Sequence, residues 1–431
     1  MASNPNTISA GIKETWAKAY QITHHKTPVY PAFANFRLAA DLKKGDTVNR
    51  HYRNTLVAND MGGDGSYQRQ AITDTQEQLV IDKEKEASFY IKELDELQNH
   101  LPTRKSHALD AAAAIFNKID GDILGEYDQF TNDLDDADVT GGADDNGITI
   151  TTSNVRKLFS RALKKMQRAN VRLDNNAKFS GFRKEDFGKS RGVSVLSPDV
   201  YQMLLESLDG KETALGDKVG INGHQGRYFG FDLFVSNAVG WSGTLAFGST
   251  DFSNGDTVVI NGVTLTMVSS VGTTAGNVLI GGTVADSIDA LVACINDSES
   301  LSAANDGDGP DTVGTDYVEL SLANRNLLKN VVATDGTTEM TLKVIGLGYI
   351  SVSDTATPSD IIWTIAKQIQ HCLFGIAGSV DAVIQKTPNM KVKDRDGKVG
   401  NDIVTWAAYG KKVFNEQKPM MIDVKVRTDS Y

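Results

Sequence analysis

The residues of this chain that could carry chemistry are few, and their spacing is wrong for it. Gly188-Lys189-Ser190 matches the end of a phosphate-cradling loop. That loop needs a glycine five positions before the second one, where Arg183 stands, and no strand leads into it. Gly346-Leu347-Gly348 lacks the third glycine of a dinucleotide fingerprint. The acidic run Asp133–Asp138, with Gly141–Gly147 after it, has the composition of a calcium loop. Its alternating ligands, central glycine and closing glutamate are out of register, so it reads as a solvated loop. His24-His25 has no Cys, Asp or Glu spaced to complete a metal site. With only seven histidines general bases are scarce, and no serine, histidine and acid cluster stands out. The expectation is a non-enzyme with no catalytic residue, no cofactor and no metal.

The remaining charged clusters need elements to hold them. Asp46–Leu97 reads as an extended two-stranded ribbon, with Val48, Arg50 and Tyr52 on one face going out. Leu79, Ile81 and Lys83 share a face on the return, and Met61–Ser66 is a glycine-rich tip. Both limbs carry mixed charge, with Arg50, Arg53 and Arg69 opposed by Asp82, Glu84 and Glu86. Such a ribbon has few large apolar side chains and is marginal alone in water, so it must lie on something else. It leads into Ser106–Leu134, where Leu109, Ala112, Phe116, Ile119, Ile123, Tyr127, Phe130 and Leu134 recur every three or four residues. That predicts one helix roughly 40 to 45 Å long. Gly121 and Gly125 inside it each cost about 1 kcal/mol against alanine, which points to close packing or to a bend.

Composition bounds the rest. The 431 residues suffice for two or three domains. Met1–Thr7 is polar and lacks the apolar core of a secretory signal, and no apolar run is long enough to span a membrane. Two cysteines suggest folding in a reducing cytosol. The net charge of -11 argues against a dedicated nucleic-acid binder. That charge is local: 241–356 holds 14 of the 55 acidic residues but only Arg325, Lys329 and Lys343 among the 44 basic ones. The remainder is neutral, so 241–356 is expected to be a separate α+β domain.

Patterning predicts an arm over 1–40, with a short helix at Ile12–Thr23 and an extended path through Pro28 and Pro31. Ser153 caps a predicted helix to near Arg172 that buries Val155, Leu158, Phe159, Ala162, Leu163 and Met166. Its other face is basic, with Arg156, Lys157, Arg161, Lys164, Lys165 and Arg168. Val193–Leu196 is a strand, Ser197-Pro198 opens a helix, and Gly226–Ser236 is an apolar strand. Asn261-Gly262 joins a hairpin, Asp286 caps a helix, and Tyr317–Leu322, Asn330–Thr334 and Met340–Ile345 are strands. Ile361, Ile365, Ile369 and Leu373 mark a helix, and Asp381–Gln385, Ile403–Phe414 and Met420–Val426 are strands.

This order resembles the major capsid proteins of tailed bacteriophages, the Hong Kong 97-type fold. The echoes are Glu14-Thr15-Trp16-Ala17, Lys44-Gly45-Asp46-Thr47-Val48, Val195-Leu196-Ser197-Pro198 and Gly230–Asn237. Ala377–Val383 and Tyr409-Gly410-Lys411-Lys412-Val413 complete them. The resemblance implies an α+β Hong Kong 97-like fold built from an N-terminal arm (1–40) and an extended loop (41–100). A peripheral domain with a spine helix (101–173) and an axial domain (174–240) follow. The insertion domain (241–356) comes next, and 357–431 completes the axial domain and returns to the peripheral strands. It implies a shell protein that assembles with itself as hexamers and pentamers around double-stranded DNA. Scaffolding, portal and cement or decoration proteins are the further partners, with no membrane. The location is the virion, after assembly in the host cytoplasm. Trp16, Arg50, Arg53, Arg69, Asp82, Glu84 and Glu86 are then the expected contacts between subunits. A neutral body suits an inner wall beside DNA, and the acidic insert is expected to face outward. Two other readings are an encapsulin-type cargo shell and a virion adhesive protein that binds carbohydrate through the insert. Trp241 is the insert's single tryptophan.

Overall fold

β-Branched and aromatic runs bounded by turn residues form strands through most of this chain. A computed structural model describes residues 26–40, 45–53, 56–61, 66–94, 103–169, 171, 192–208, 226–248, 251–296, 316–336, 338–346, 348, 350–354, 361–363, 367–394 and 399–427. The predicted arm helix, Trp16, His24-His25, Gly188-Lys189-Ser190 and the centre of the glycine-rich tip, 62–65, lie outside these residues. The elements run β1 (Ala34–Asn35), β2 (Thr47–Arg53), β3 (Asp74–Val80), β4 (Lys83–Lys92), α1 (Thr103–Leu124), β5 (Asn132–Leu134), α2 (Asp136–Val139) and α3 (Val155–Arg168). Next come β6 (Gly192–Leu196), α4 (Pro198–Leu208), β7 (Arg227–Tyr228), β8 (Phe231–Val235), β9 (Gly240–Phe247), β10 (Thr257–Ile260), β11 (Val263–Val268) and β12 (Asn277–Leu279). The last are α5 (Val284–Asn296), α6 (Leu322–Leu328), β13 (Val331–Asp335), β14 (Glu339–Val344), β15 (Val352–Asp354), β16 (Ile361–Trp363), β17 (Ile369–Ile376), β18 (Val380–Asp394), β19 (Gly400–Lys412) and β20 (Met421–Arg427). No helix among the described residues is long and apolar enough to cross a membrane.

The chain divides into two compact units. One comprises Met1–Thr27, Lys83–Asn117 and Ile384–Tyr409; the other comprises Pro28–Asp82, Lys118–Val383 and Gly410–Tyr431. In the first, β4 pairs antiparallel with β19 from Lys92↔Gly400 to Lys83↔Tyr409. Phe89 meets His107 edge-on at 5.6 Å. β4 therefore does not continue the ribbon, which ends at Val80.

The second unit is built on a ten-stranded sheet in the order β13-β14-β9-β17-β6-β8-β7, with β16 on β9 and β20 on β17. β17 is its hub: β20 runs along one edge, while β9 and then β6 share the other. Strands flanked on both edges and covered on both faces are apolar throughout, as Cys372-Leu373-Phe374 is. Helix α3 lays Phe159 on this sheet, edge-on to Tyr228 and Phe374 at 5.0 Å each. The segment 241–356 has its own hydrophobic core, centred on Leu265, Met267, Leu291 and Leu342. Its strands β9, β13 and β14 nevertheless extend the body's sheet. The β10–β11 hairpin turns at Asn261 (φ 50°) and Gly262 (φ 79°), both left-handed as the two-residue turn requires.

Several expectations are corrected. The long helix stops at Leu124, passes through one tight turn of 3₁₀ helix at Gly125–Gln129 and becomes a strand by Asn132. Its buried seam is Ala111, Ile115, Ile119 and Ile123, while Leu109 is 61% exposed. Gly121 needs no bend, because a Cβ there would lie 2.3 Å from the Cα of Gly346. The predicted helix over Ile361–Leu373 is strands β16 and β17. Gly226–Ser236 is a hairpin turning at Phe229 and Gly230, both with positive φ. Leu322 opens a helix capped by Ser321, so Tyr317–Leu322 is no strand. Asn154 occupies the N-cap of α3 in place of Ser153. Ahead of α5 it is Thr283, in a reciprocal box with Asp286, that does the capping.

Candidate assembly surfaces and the anchors beneath them

The ribbon is real over β2 and β3, which pair antiparallel with Val48 opposite Leu79 and Arg50 opposite Glu77. Strand alternation puts Leu79 on the inner face, where it is fully buried with Val383 and Phe414. Arg50 lies over the Phe414 ring, 5.0 Å from its centroid, and its guanidinium reaches Asp381 (3.5 Å) and Glu416. Glu77 accepts from the backbone N–H of Asn415 at 3.2 Å. The root of the ribbon is thus pinned by an apolar plug and two charged contacts. Beyond it the described side chains are exposed. Leu56, Val57, Met61, Tyr67 and Ile72 are 65–79% exposed, and Gln70 bridges to the Val57 backbone across the loop.

Two buried carboxylates hold the arm. Asp120 of α1 accepts from the backbone N–H groups of both Val29 and Tyr30, each at 2.8 Å. Asp381, 1% exposed, accepts from the side chains of Asn35, Gln417 (3.0 Å) and Arg50. β1 pairs in parallel with the start of β18 beside it, Asn35 opposite Asp381. Gln417 also donates to the Gly378 carbonyl at 3.0 Å and accepts from the Phe414 N–H at 3.0 Å. Arm, ribbon and terminal loop therefore converge on one carboxyl group.

Burial pushes the Asp381 carboxyl up from its ordinary value, against the pull of Arg50, Asn35 and Gln417. A carboxyl with a raised pKa in the fold binds its proton more tightly there than in the unfolded chain. Its contribution is fully present below the unfolded pKa and is lost as pH rises through the folded one. Wild-type stability, relative to Asp381→Asn, is therefore expected to rise as pH falls from 7 through the raised carboxyl pKa toward the ordinary value of about 4. Urea unfolding of both proteins across that range measures it, and a flat or opposite difference would reject the assignment.

A third constellation joins β9, β17 and β20. Opposite-residue pairing places Ile369 against Ser242 and Leu373 against Asp423, and His371 lies between them on the same face. Nδ1 of His371 is 2.7 Å from Asp423 Oδ2, and Nε2 is 2.7 Å from the Ser242 hydroxyl. A carboxylate only accepts, so Nδ1 carries a hydrogen and donates it to Asp423. This is the bonding order of a serine hydrolase triad. Its setting is different: the imidazole is 4% exposed and stacks under Tyr127 at 3.5 Å. Gly240 lies directly opposite His371, and a Cβ there would come 2.4 Å from the Tyr127 ring. The network ties three strands under an aromatic cover.

The acidic run after α1 also has an internal answer. Asp133, Asp135 and Asp145 bring carboxylate oxygens within 4.8 Å of one another. The Lys425 ammonium reaches Asp133 (2.8 Å) and Asp145 (2.6 Å). Burial works against that charge, but these two hydrogen bonds hold its pKa above the usual lysine value. Asp135 accepts from the N–H of Asp138 and so caps α2.

Of the charged residues singled out from sequence, Arg50 is committed within the chain. Arg53 is exposed and faces Asp74 across the ribbon. Arg69 is exposed over the Tyr67 ring, 6.0 Å from its centroid. Asp82 is exposed between β3 and β4. Glu84 and Glu86 are exposed on β4, opposite Ala408 and Trp406. The ribbon's register thus opposes Arg50 and Arg53 with Glu77 and Asp74, not with Asp82, Glu84 and Glu86. Asp120, Asp381, Gln417 and His371 escaped sequence reasoning. For Asp381 and His371 the one local signal is a polar residue set in an apolar run, as in Ser379-Val380-Asp381-Ala382-Val383; Asp120 and Gln417 carry none.

Compared by sequence, the chain matches no family profile and no curated protein. Compared by structure, it matches a chain from Mycobacterium phage Che8 at 14% identity and TM-score 0.53, over 96% of each chain. It also matches a chain in the capsid structure of cyanophage P-SCSP1u at 11% identity and TM-score 0.51. That alignment covers 100% of this chain and 97% of the other. The fold is an α+β phage capsid fold. Within the capsid fold, the bare ribbon end and the clamped arm are the surfaces left to explain.

Proposed function

We propose that this chain is the major capsid protein of a tailed bacteriophage, assembling with itself into a closed shell around double-stranded DNA. The observation that carries the reading is full-length likeness to a capsid chain, with the insert included in the alignment. In this reading 1–40 is an arm, 41–100 an extended loop and 101–173 a peripheral domain. The axial domain is 174–240 with part of 357–431, and 241–356 is an insertion domain facing outward. The subunits form hexamers and pentamers, with scaffolding, portal and decoration proteins as further partners, first in the host cytoplasm and then in the virion.

The ribbon supports self-assembly physically. Five large apolar side chains at 65–79% exposure in one short loop cost solubility unless another surface covers them. The root of the ribbon is anchored without them, so their cover is sought on a neighbouring subunit. Arg53 and Arg69 then serve as contacts beside that apolar patch, and Asp82, Glu84 and Glu86 as further contacts between subunits. Deleting Val57–Ile72 is expected to leave a folded subunit that fails to form stable shells. Circular dichroism with negative-stain microscopy of the expressed protein tests both halves. Absence of shells from the intact chain would overturn the function, and normal shells from the deletion would overturn the role of the ribbon. Reconstructed particles with 241–356 on the inside would overturn its orientation.

A further inference from the structure

The neutrality of the body is a sum of unequal parts. In sequence, 155–191 holds 12 basic and 3 acidic residues. Of its described cations, Lys165 pairs with Asp138 and donates to the Asp133 carbonyl at 2.5 Å, and Arg156 donates to the Tyr228 hydroxyl at 3.0 Å. Lys157, Arg161, Lys164 and Arg168 are exposed, and none has a counter-charge among the described residues. Their steps of four, three and four place them in one row along α3. Eleven residues of helix make the row roughly 17 Å long.

We infer that this row is a binding face for the phosphate backbone of duplex DNA. A duplex presents one phosphate per about 3.4 Å of axis on each strand, so about five phosphates of a strand face the row. The rival anion is the acidic segment 241–356 of a second copy, and its charges among the described residues are poorly arranged for the task. Asp251, Asp256 and Asp286 are taken up by hydrogen bonds to Ser287, Ser253 and Thr283. Glu319, Asp335, Glu339 and Asp354 are exposed, but they stand on separate elements, and Glu339 already pairs with Lys367. A regular linear polyanion fits the row better than this scatter. The contacts read charge alone, so binding is independent of base sequence. The inference deepens the reading of the chain as a DNA-enclosing shell by assigning the face that meets the genome.

The test is binding of the full-length chain to two unrelated DNA duplexes, followed by fluorescence anisotropy over a range of salt. Four neutralised phosphates give a log–log salt slope of about -3.6. Affinity then falls about 150-fold between roughly 50 and 200 mM salt. The pair Arg161→Gln and Lys164→Gln is expected to bring that fall to about 12-fold. A matched pair on exposed β18 positions, Lys391→Gln and Lys393→Gln, is expected to leave it unchanged. Equal losses in the two pairs would overturn the inference, as would unchanged DNA binding with loss of salt-sensitive self-association in the Arg161/Lys164 pair. Microscopy separates this from the shell itself. Shells with unaltered DNA binding in that pair sink the DNA face alone. Salt-dependent DNA binding without any shells sinks the shell reading alone.

Discussion

Replacing His371 with alanine is expected to destabilise the subunit by about 3–5 kcal/mol, because it strands a buried carboxyl group without its hydrogen-bond donor and empties a buried, stacked site. The imidazole is 4% exposed, hydrogen-bonded at both nitrogens and stacked on Tyr127. Without it, Asp423 keeps a buried carboxylate whose Oδ2 has lost its donor and whose Oδ1 has none among the described residues. Loss of the stack adds roughly 1 kcal/mol. The penalty arises from Asp423, so removing both partners should hurt less than the two single losses added together. A double-mutant cycle of His371→Ala with Asp423→Asn is expected to show at least about 1 kcal/mol of coupling in denaturant unfolding. Additive effects would mean that the two residues do not act as a unit. Ser242→Ala, which removes one neutral hydrogen bond at a half-buried site, is expected to cost only about 1 kcal/mol.

The second large effect concerns the two glycines near the end of α1. Gly121→Ala would put a methyl group 2.3 Å from the Cα of Gly346 and 2.8 Å from its nitrogen. Those are backbone atoms and cannot swing aside as a flexible side chain does. Gly346 itself has φ 102°, so its own replacement is strained as well. Helix propensity favours alanine by about 1 kcal/mol, but overpacking of about 1–3 kcal/mol or more outweighs it. Gly125 is the opposite case. A Cβ there meets only the Lys343 and Ile345 side chains, at 3.9 and 4.0 Å, which is ordinary contact. Gly125→Ala is therefore expected to be neutral or mildly stabilising. Thermal unfolding of the two single variants compares them directly. Equal melting temperatures would remove the close-packing explanation and restore a bend as the reason for Gly121.

What was legible in the sequence is what neighbouring residues decide among themselves. Asn261-Gly262 fixes its hairpin because few residues other than Asn and Gly accept two consecutive left-handed positions. Ser197-Pro198 starts α4 because cap and proline act within one turn. The α3 stripe Val155, Leu158, Phe159, Ala162 and Met166 is buried as its spacing requires. The ribbon's limbs follow from alternation, and the charge asymmetry of 241–356 can be counted directly.

The failures lie where partners far along the chain decide. Ile361, Ile365, Ile369 and Leu373 are four apart, and four is a multiple of two, so the same residues satisfy a strand face as well as a helix face. Strand won at β17 because β20, β9 and β6 take up its backbone hydrogen bonds, which no local pattern announces. The long helix ended ten residues early because β20 offered Asn132–Leu134 a parallel edge. Ser242, His371 and Asp423 were invisible as a group, since only sheet register places them on one face. Gly121 carried a conspicuous local cost, but its cause, Gly346, lies 225 positions away. By itself the sequence determined the turns, the caps, the amphipathic faces and the place of the charge. Tertiary structure decided which strands became neighbours, and with that which buried polar groups found partners and which cations on α3 were left without one among the described residues.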